Sequence, residues 1–159
     1  MENSIMVIKD EEIYRRLYTE SGYASQSRES MGLPTQLCNR ITITEDDKRL
    51  FEDFVTTSVT AIVSNIRRYF SACHVEHIKR GEGEDYFQFS FPLPANHQMK
   101  GTNLLNRAAT DYIVASTMQQ WAMTLKPDEA NIYASKAQNS LVQMRDILAS
   151  RKKPVKSID

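Results

Sequence analysis

Leu50, Phe51, Phe54, Val55, Val59, Ile62, Val63, Ile66, Tyr69 and Phe70 recur at spacings of one, three and four. That pattern predicts one apolar stripe on a helix of about seven turns. Thr44 followed by Glu45, Asp46 and Asp47 reads as its N-cap and acidic first turn, where free N–H groups favour negative charge. Ile41–Ile43 ahead of it can lie extended. The period then changes. His74–Lys79 predicts a strand, Arg80–Glu84 a turn, and Tyr86–Phe91 a second strand with Phe87, Phe89 and Phe91 on one face and Tyr86, Gln88 and Ser90 on the other. Pro92 and Pro94, which cannot donate a backbone hydrogen bond, are expected to stop this hairpin.

Two further helices follow. Thr102 or Asn103 can cap a helix whose inner side runs Leu105, Ala108, Ala109, Tyr112, Ile113 and Ser116 toward Trp121 and Leu125. Its small inner residues let a neighbouring helix approach closely. After Lys126, Pro127 suits the first position of a last helix, with Asp128 and Glu129 in its opening turn and Ala130, Tyr133, Ala134, Ala137, Leu141, Met144, Ile147 and Leu148 along its stripe. So short a connection makes the pair an antiparallel helical hairpin. Residues 1–40 are less committed. Asp10–Thr19 predicts a short helix with Ile13, Tyr14 and Leu17 on one side, and Gly22–Ser30 is polar, so this region reads as an arm that docks on the domain or on a partner.

The resulting expectation is an α+β fold, mainly α: a long amphipathic helix, a β-hairpin, an antiparallel helical hairpin and a loosely structured N-terminal arm. Residues 41–150 form one helical domain with the hairpin at about 74–91 inserted, and 151–159 are a basic flexible tail. At 159 residues the chain is one domain's worth. Its 20 Lys and Arg balance 20 Asp and Glu, so no net field draws in nucleic acid or anionic lipid. The N-terminal arm, with five basic and six acidic residues, is no basic arm either. The start lacks a basic signal region, its apolar run covering only Ile5–Ile8, and no stretch is apolar long enough to span a bilayer. Cys38 and Cys73 read as free thiols of a reducing compartment.

Catalytic signatures are absent. Gly81 and Gly83 stand among Glu82, Glu84 and Asp85, which repel a phosphate and suit a solvated hairpin tip. Cys73, His74 and His77, with His97 further on, are the nearest approach to a metal constellation. On a strand His74 and His77 face opposite ways, so the set falls apart and the histidines read as surface or packed groups. Arg107 and Asp111 have the spacing of an ordinary surface ion pair on a helix. Arg67 and Arg68 match the dipole at the end of the first long helix. Arg145, Arg151, Lys152, Lys153 and Lys156, against Asp146, do the same for the last one and form a small basic patch able to touch an acidic protein rim or passing DNA weakly. A two-stranded hairpin also leaves both edges unpaired, which invites strand addition from another subunit.

The run Thr44–Val55, leading into Ile62–Ile66 and Arg67-Arg68-Tyr69, resembles the opening helix of head–tail connector (adaptor) proteins of tailed bacteriophages and prophages. Leu104–Trp121 and Pro127–Arg151 resemble their closing helices, so the likeness covers about two thirds of the chain. The hairpin and the 40-residue leader depart from that pattern. The resemblance implies a ring-forming structural protein between portal and tail, without catalysis, and the residues themselves give no reason to expect a cofactor or metal. Its partners would be other copies of itself and neighbouring portal and tail components, with weak DNA contact through the basic tail and no membrane. Its place would be the host cytoplasm during assembly and then the virion. Candidate contact residues are Tyr14, Tyr18 and Tyr23 of the leader, Arg80, Glu82, Glu84 and Asp85 of the hairpin tip, and Arg151, Lys152 and Lys153 of the tail. The alternative is a small cytoplasmic helical adaptor or regulator that dimerises through its last two helices.

Overall fold

A computed structural model describes residues 2–30, 47–94, 97, 103–125 and 127–150. The order of elements is β1 (Glu2–Lys9), α1 (Asp10–Ser30), α2 (Lys48–Arg67), β2 (His74–Ile78), β3 (Tyr86–Leu93), α3 (Asn103–Leu125) and α4 (Pro127–Ala149). The mainly helical α+β fold is as expected, with four helices beside a three-stranded antiparallel sheet of order β1-β3-β2.

The N-terminal strand is the main correction. Residues 2–9 are not part of a loose arm: β1 pairs with β3 along its whole length, from Glu2 opposite Leu93 to Lys9 opposite Tyr86. Met6 and Ile8 point into the core, while Ile5 and Val7 point out. The hairpin strand β3 is therefore the centre of the sheet, and the unpaired edge expected on that side is filled by the chain itself. Even the far edge of β1 is engaged, since the Asn106 side-chain amide of α3 donates to the Val7 carbonyl. Strand β3 also runs through Pro92 instead of stopping there. Strand β2 ends opposite Ser90, so beyond that point β3 is an edge on its β2 side, where a proline breaks no ladder bond.

The inner sheet face is the predicted one, with Phe87, Phe89 and Phe91 buried. Phe70 stacks on Phe91 at 5.5 Å between ring centroids. Helix α1 is longer than the sequence pattern suggested, continuing through Gly22 to Ser30, and buries Ile13, Tyr14, Leu17 and Ser21 at spacings of one, three and four. Helix α2 starts after Asp47 and ends at Arg67, so it is shorter than seven turns, and Tyr69 and Phe70 close a turn onto the Ile66 carbonyl. Thr44–Asp46, like Cys38, lie outside the described residues. Helix α3 is the hub. It packs against α4, α2, α1 and β1 and is buried on most of its circumference, with alanines 108, 109, 115 and 122 on it and 130 and 137 on α4 keeping the helical hairpin close. Trp121 lies 4.8 Å from the Phe51 ring, joining α3 to α2. No helix among the described residues is long and apolar enough to cross a membrane.

Candidate functional site

Helix α1 begins where β1 stops, and its first residue is a junction. The Asp10 backbone N–H donates to the Asp85 carbonyl at 3.0 Å, which fastens the start of α1 to the start of β3. The Asp10 carboxylate reaches His77 Nε2 at 2.8 Å, tying the same helix to β2. The His77 ring in turn lies flat on Phe87, 4.1 Å between centroids and 8° between planes. His77 thus shares the inner side of the sheet with Phe87 and Ile8, while His74 belongs to the outer face.

The hairpin tip is built by three successive residues of positive φ, Gly81 at 78°, Glu82 at 54° and Gly83 at 79°. A side chain in that region is strained even with open space around it, which explains two glycines so near each other. Asp85 holds the turn closed by accepting the backbone N–H groups of Arg80 at 2.8 Å and Gly81 at 2.9 Å. Those bonds, the one from Gly81 foremost, hold its carboxyl below the usual carboxylate range. Arg80 lies over the Tyr86 ring at 5.4 Å.

Between this tip and α1 lies a cleft of about 510 Å³, lined by Asp10, Glu11, Tyr14, Arg15, Tyr18, Glu52, Lys79, Glu82, Gly83 and Asp85. It brings together two regions the sequence nominated separately, the leader tyrosines and the acidic tip. Tyr14 and Tyr18 stand 6.5 Å apart, inclined at 37°, and form its aromatic wall. Burial, then the negative charge of Glu52 and Asp10, pushes the Tyr14 phenol well above its ordinary pKa, so it remains a neutral group. Five carboxylates face two cations, Arg15 and Lys79.

Of the remaining nominated residues, Arg80 and Glu84 belong to the exposed tip but do not line the cleft. Tyr23 lies on α1. Arg151, Lys152 and Lys153 lie outside the described residues. Asp10 of α1, Glu52 of α2 and Lys79 just after β2 enter the cleft without any mark in the sequence that joins them. Asp10, Glu11 and Glu12 do carry one usable sign, an acidic first turn at the start of α1.

No family model, no curated protein and no solved structure matches the chain. The cleft's capability is therefore argued from its own groups. No Ser, Thr or Cys lines it, and the imidazole beside it is engaged by Asp10 and stacked on Phe87. Carboxylates beside two phenol rings make a receptacle for cationic side chains, which gain both charge pairing and ring contact.

Three grooves run along α3 and all include Asp111; two of them flank the other side of α1, and the third lies between α3 and α4. The expected Arg107–Asp111 pair does not form there. Asp111 instead accepts from Arg16 of α1 at 2.6 Å, because the hub helix turns that face toward α1, and Arg107 remains exposed. Lys136 of α4 lies 4.0 Å from Glu20 across the same side. Arg67 likewise does more than match a dipole: its Nε and guanidinium NH2 donate to the Cys73 carbonyl at 3.1 and 2.9 Å, just ahead of β2. Cys73 is a buried free thiol. His97, apart from the other two histidines, is buried with Nε2 at 2.9 Å from the Leu148 carbonyl and its ring against Phe70. Among the described residues no three His, Cys, Asp or Glu side chains are grouped to hold a metal ion.

Proposed function

We propose that this protein is a non-catalytic building block of a tailed-phage particle, of head–tail connector type, working through contacts with copies of itself and with neighbouring portal and tail proteins. The observation that supports the reading is the outer face of the sheet. On it Ile5 is 54% exposed and Val7 37%, neighbours two residues apart on β1, with Tyr86 and Ile78 half-buried in the row beyond. A protein that leaves branched apolar side chains side by side on an open sheet face gains by covering them with another surface. On the β3 side the strand-addition route expected from the hairpin alone is closed, since β1 occupies that edge, and only β2 still presents an edge among the hairpin strands.

The test is light scattering of the full chain, alone and mixed with the portal and tail proteins encoded beside it. Ring-sized species, or incorporation onto the portal, is the expected result, and Ile5→Lys with Val7→Lys should abolish it while leaving the circular dichroism spectrum unchanged. A chain that stays monomeric and binds none of those proteins overturns the reading.

A further inference from the structure

Beyond an open sheet face, the chain carries two features of opposite charge. One is the cleft between α1 and the hairpin tip, where Glu11, Glu52 and Glu82 are exposed beside the tyrosine pair. Asp10 and Asp85 are already engaged with His77 and with the turn backbone, so those three glutamates are the acceptors on offer. The other is the segment after α4, which opens with Arg151, Lys152 and Lys153. We propose that the cleft receives this basic segment from a second copy of the chain, in a head-to-tail contact; the proposal rests on the assembly reading above and names one of its interfaces.

The fold argues for a second copy over the same one. The cleft occupies the flank of α1 that carries Glu11, Arg15 and Tyr18. Glu12 and Arg16 face the other way, toward Asn103, Asn106 and Arg107 at the start of α3. There too the end of α4 arrives, with Asp146 and Ile147 beside Leu104 and Arg107. Helix α1, about 10 Å across with its side chains, stands between that end and the cleft. The triplet Arg151–Lys153 starts one residue after Ser150 and spans at most about 11 Å when fully extended, too little to pass around the helix. A neighbour's tail has no such restriction. Donor and acceptor surfaces on different parts of one subunit make a heterologous contact, which propagates and closes into a ring when the rotation allows.

The recognition is chemical as well as geometric. Lysine and arginine side chains can lay their stems along the Tyr14 and Tyr18 rings and place their charged ends at Glu11, Glu52 and Glu82.

Sedimentation velocity on the full chain over a range of concentrations, at 50 and 500 mM NaCl, tests it. Wild type should self-associate, with the association constant falling about tenfold or more between the two salts. A tail variant (Arg151→Glu, Lys152→Glu, Lys153→Glu) and a cleft variant (Glu11→Lys, Glu82→Lys) should each lose association about tenfold at low salt, and the two mixed should recover it, since each tail then finds a cleft of opposite charge on the other variant. The chain carrying both sets should recover association. The tail variant alters none of the described residues, so it decides the matter even if the cleft variant unfolds. A monomeric wild type at both salts, or recovery failing in the doubly reversed chain, overturns the proposal. Association that the tail variant leaves unchanged also overturns it, while leaving the broader assembly reading in place.

Discussion

Cys73 sits at the turn from α2 into β2, fully buried, with its carbonyl held by Arg67 and its thiol in apolar surroundings. Burial pushes that thiol up to about 11 from an ordinary 9, against the smaller opposing pull of Arg67. A folded-state pKa above the unfolded one means a stabilisation complete below pH 9 and lost as the pH climbs toward 11. The unfolding free energy should therefore fall over that window, by on the order of 2 kcal/mol at its end, with the denaturant midpoint moving down accordingly, and the fall should shrink in Cys73→Ala. The native thiol should also resist iodoacetamide at pH 8 until denaturant is added. Arg67→Ala should lower stability by about 1–3 kcal/mol in urea titration, since it strips a charged donor from a carbonyl at a buried residue. Neither role could be read from the sequence. The Arg67-Arg68 pair has a sufficient explanation in the helix terminus alone, and its reach to a carbonyl six residues on depends on how the turn closes.

Strand β1 shows most clearly where sequence reasoning at the level of elements reaches its limit. Ile5, Met6, Val7 and Ile8 form an unbroken apolar run, so period-two alternation is absent, and the strand's partner lies some eighty residues further along the chain. Strand β3, by contrast, alternates strictly and is recovered with the right face inward. The long helix, the helical hairpin and the first turns of α1 were equally readable, because each has an apolar stripe of period 3.6. The cleft was half readable: its residue types were nominated, but their meeting depends on β1 placing the start of α1 against the hairpin tip. The two faces of β1 give a direct check. Met6→Ala removes a fully buried side chain opposite Phe89 and should cost about 2–5 kcal/mol, whereas Ile5→Thr, on the exposed face, should stay within about 0.5 kcal/mol. Chemical denaturation of the two variants side by side measures both; equal losses would mean that β1 does not sit in the register described.

At the scale of the whole molecule, the question is whether the N-terminal region folds with the rest or merely leans on it. The buried residues form one contiguous cluster, running from Met6 and Ile8 through Ile13 and Leu17, the sheet phenylalanines and α2, to Met144 and Leu148 of α4. The hub helix α3 touches β1 and α1 on one side and α2 and α4 on others, so no group of elements can leave without opening the same core. Arg16–Asp111 adds a tie between α1 and α3, though half-exposed ion pairs of this kind contribute little. Unfolding should accordingly be a single cooperative event. The sole tryptophan gives a clean second probe: Trp121 is 8% exposed and packed on Phe51, so its fluorescence reports the α2–α3 contact, while far-ultraviolet dichroism sums over all four helices. The two signals should trace one curve with the same midpoint in urea. An early dichroism loss without a fluorescence change would show α1 and β1 opening as a separate unit, and would return residues 2–30 to the status of an arm. In Met6→Ala both curves should move together to lower urea, because a cavity beneath β1 is felt at Trp121 only if one core joins them.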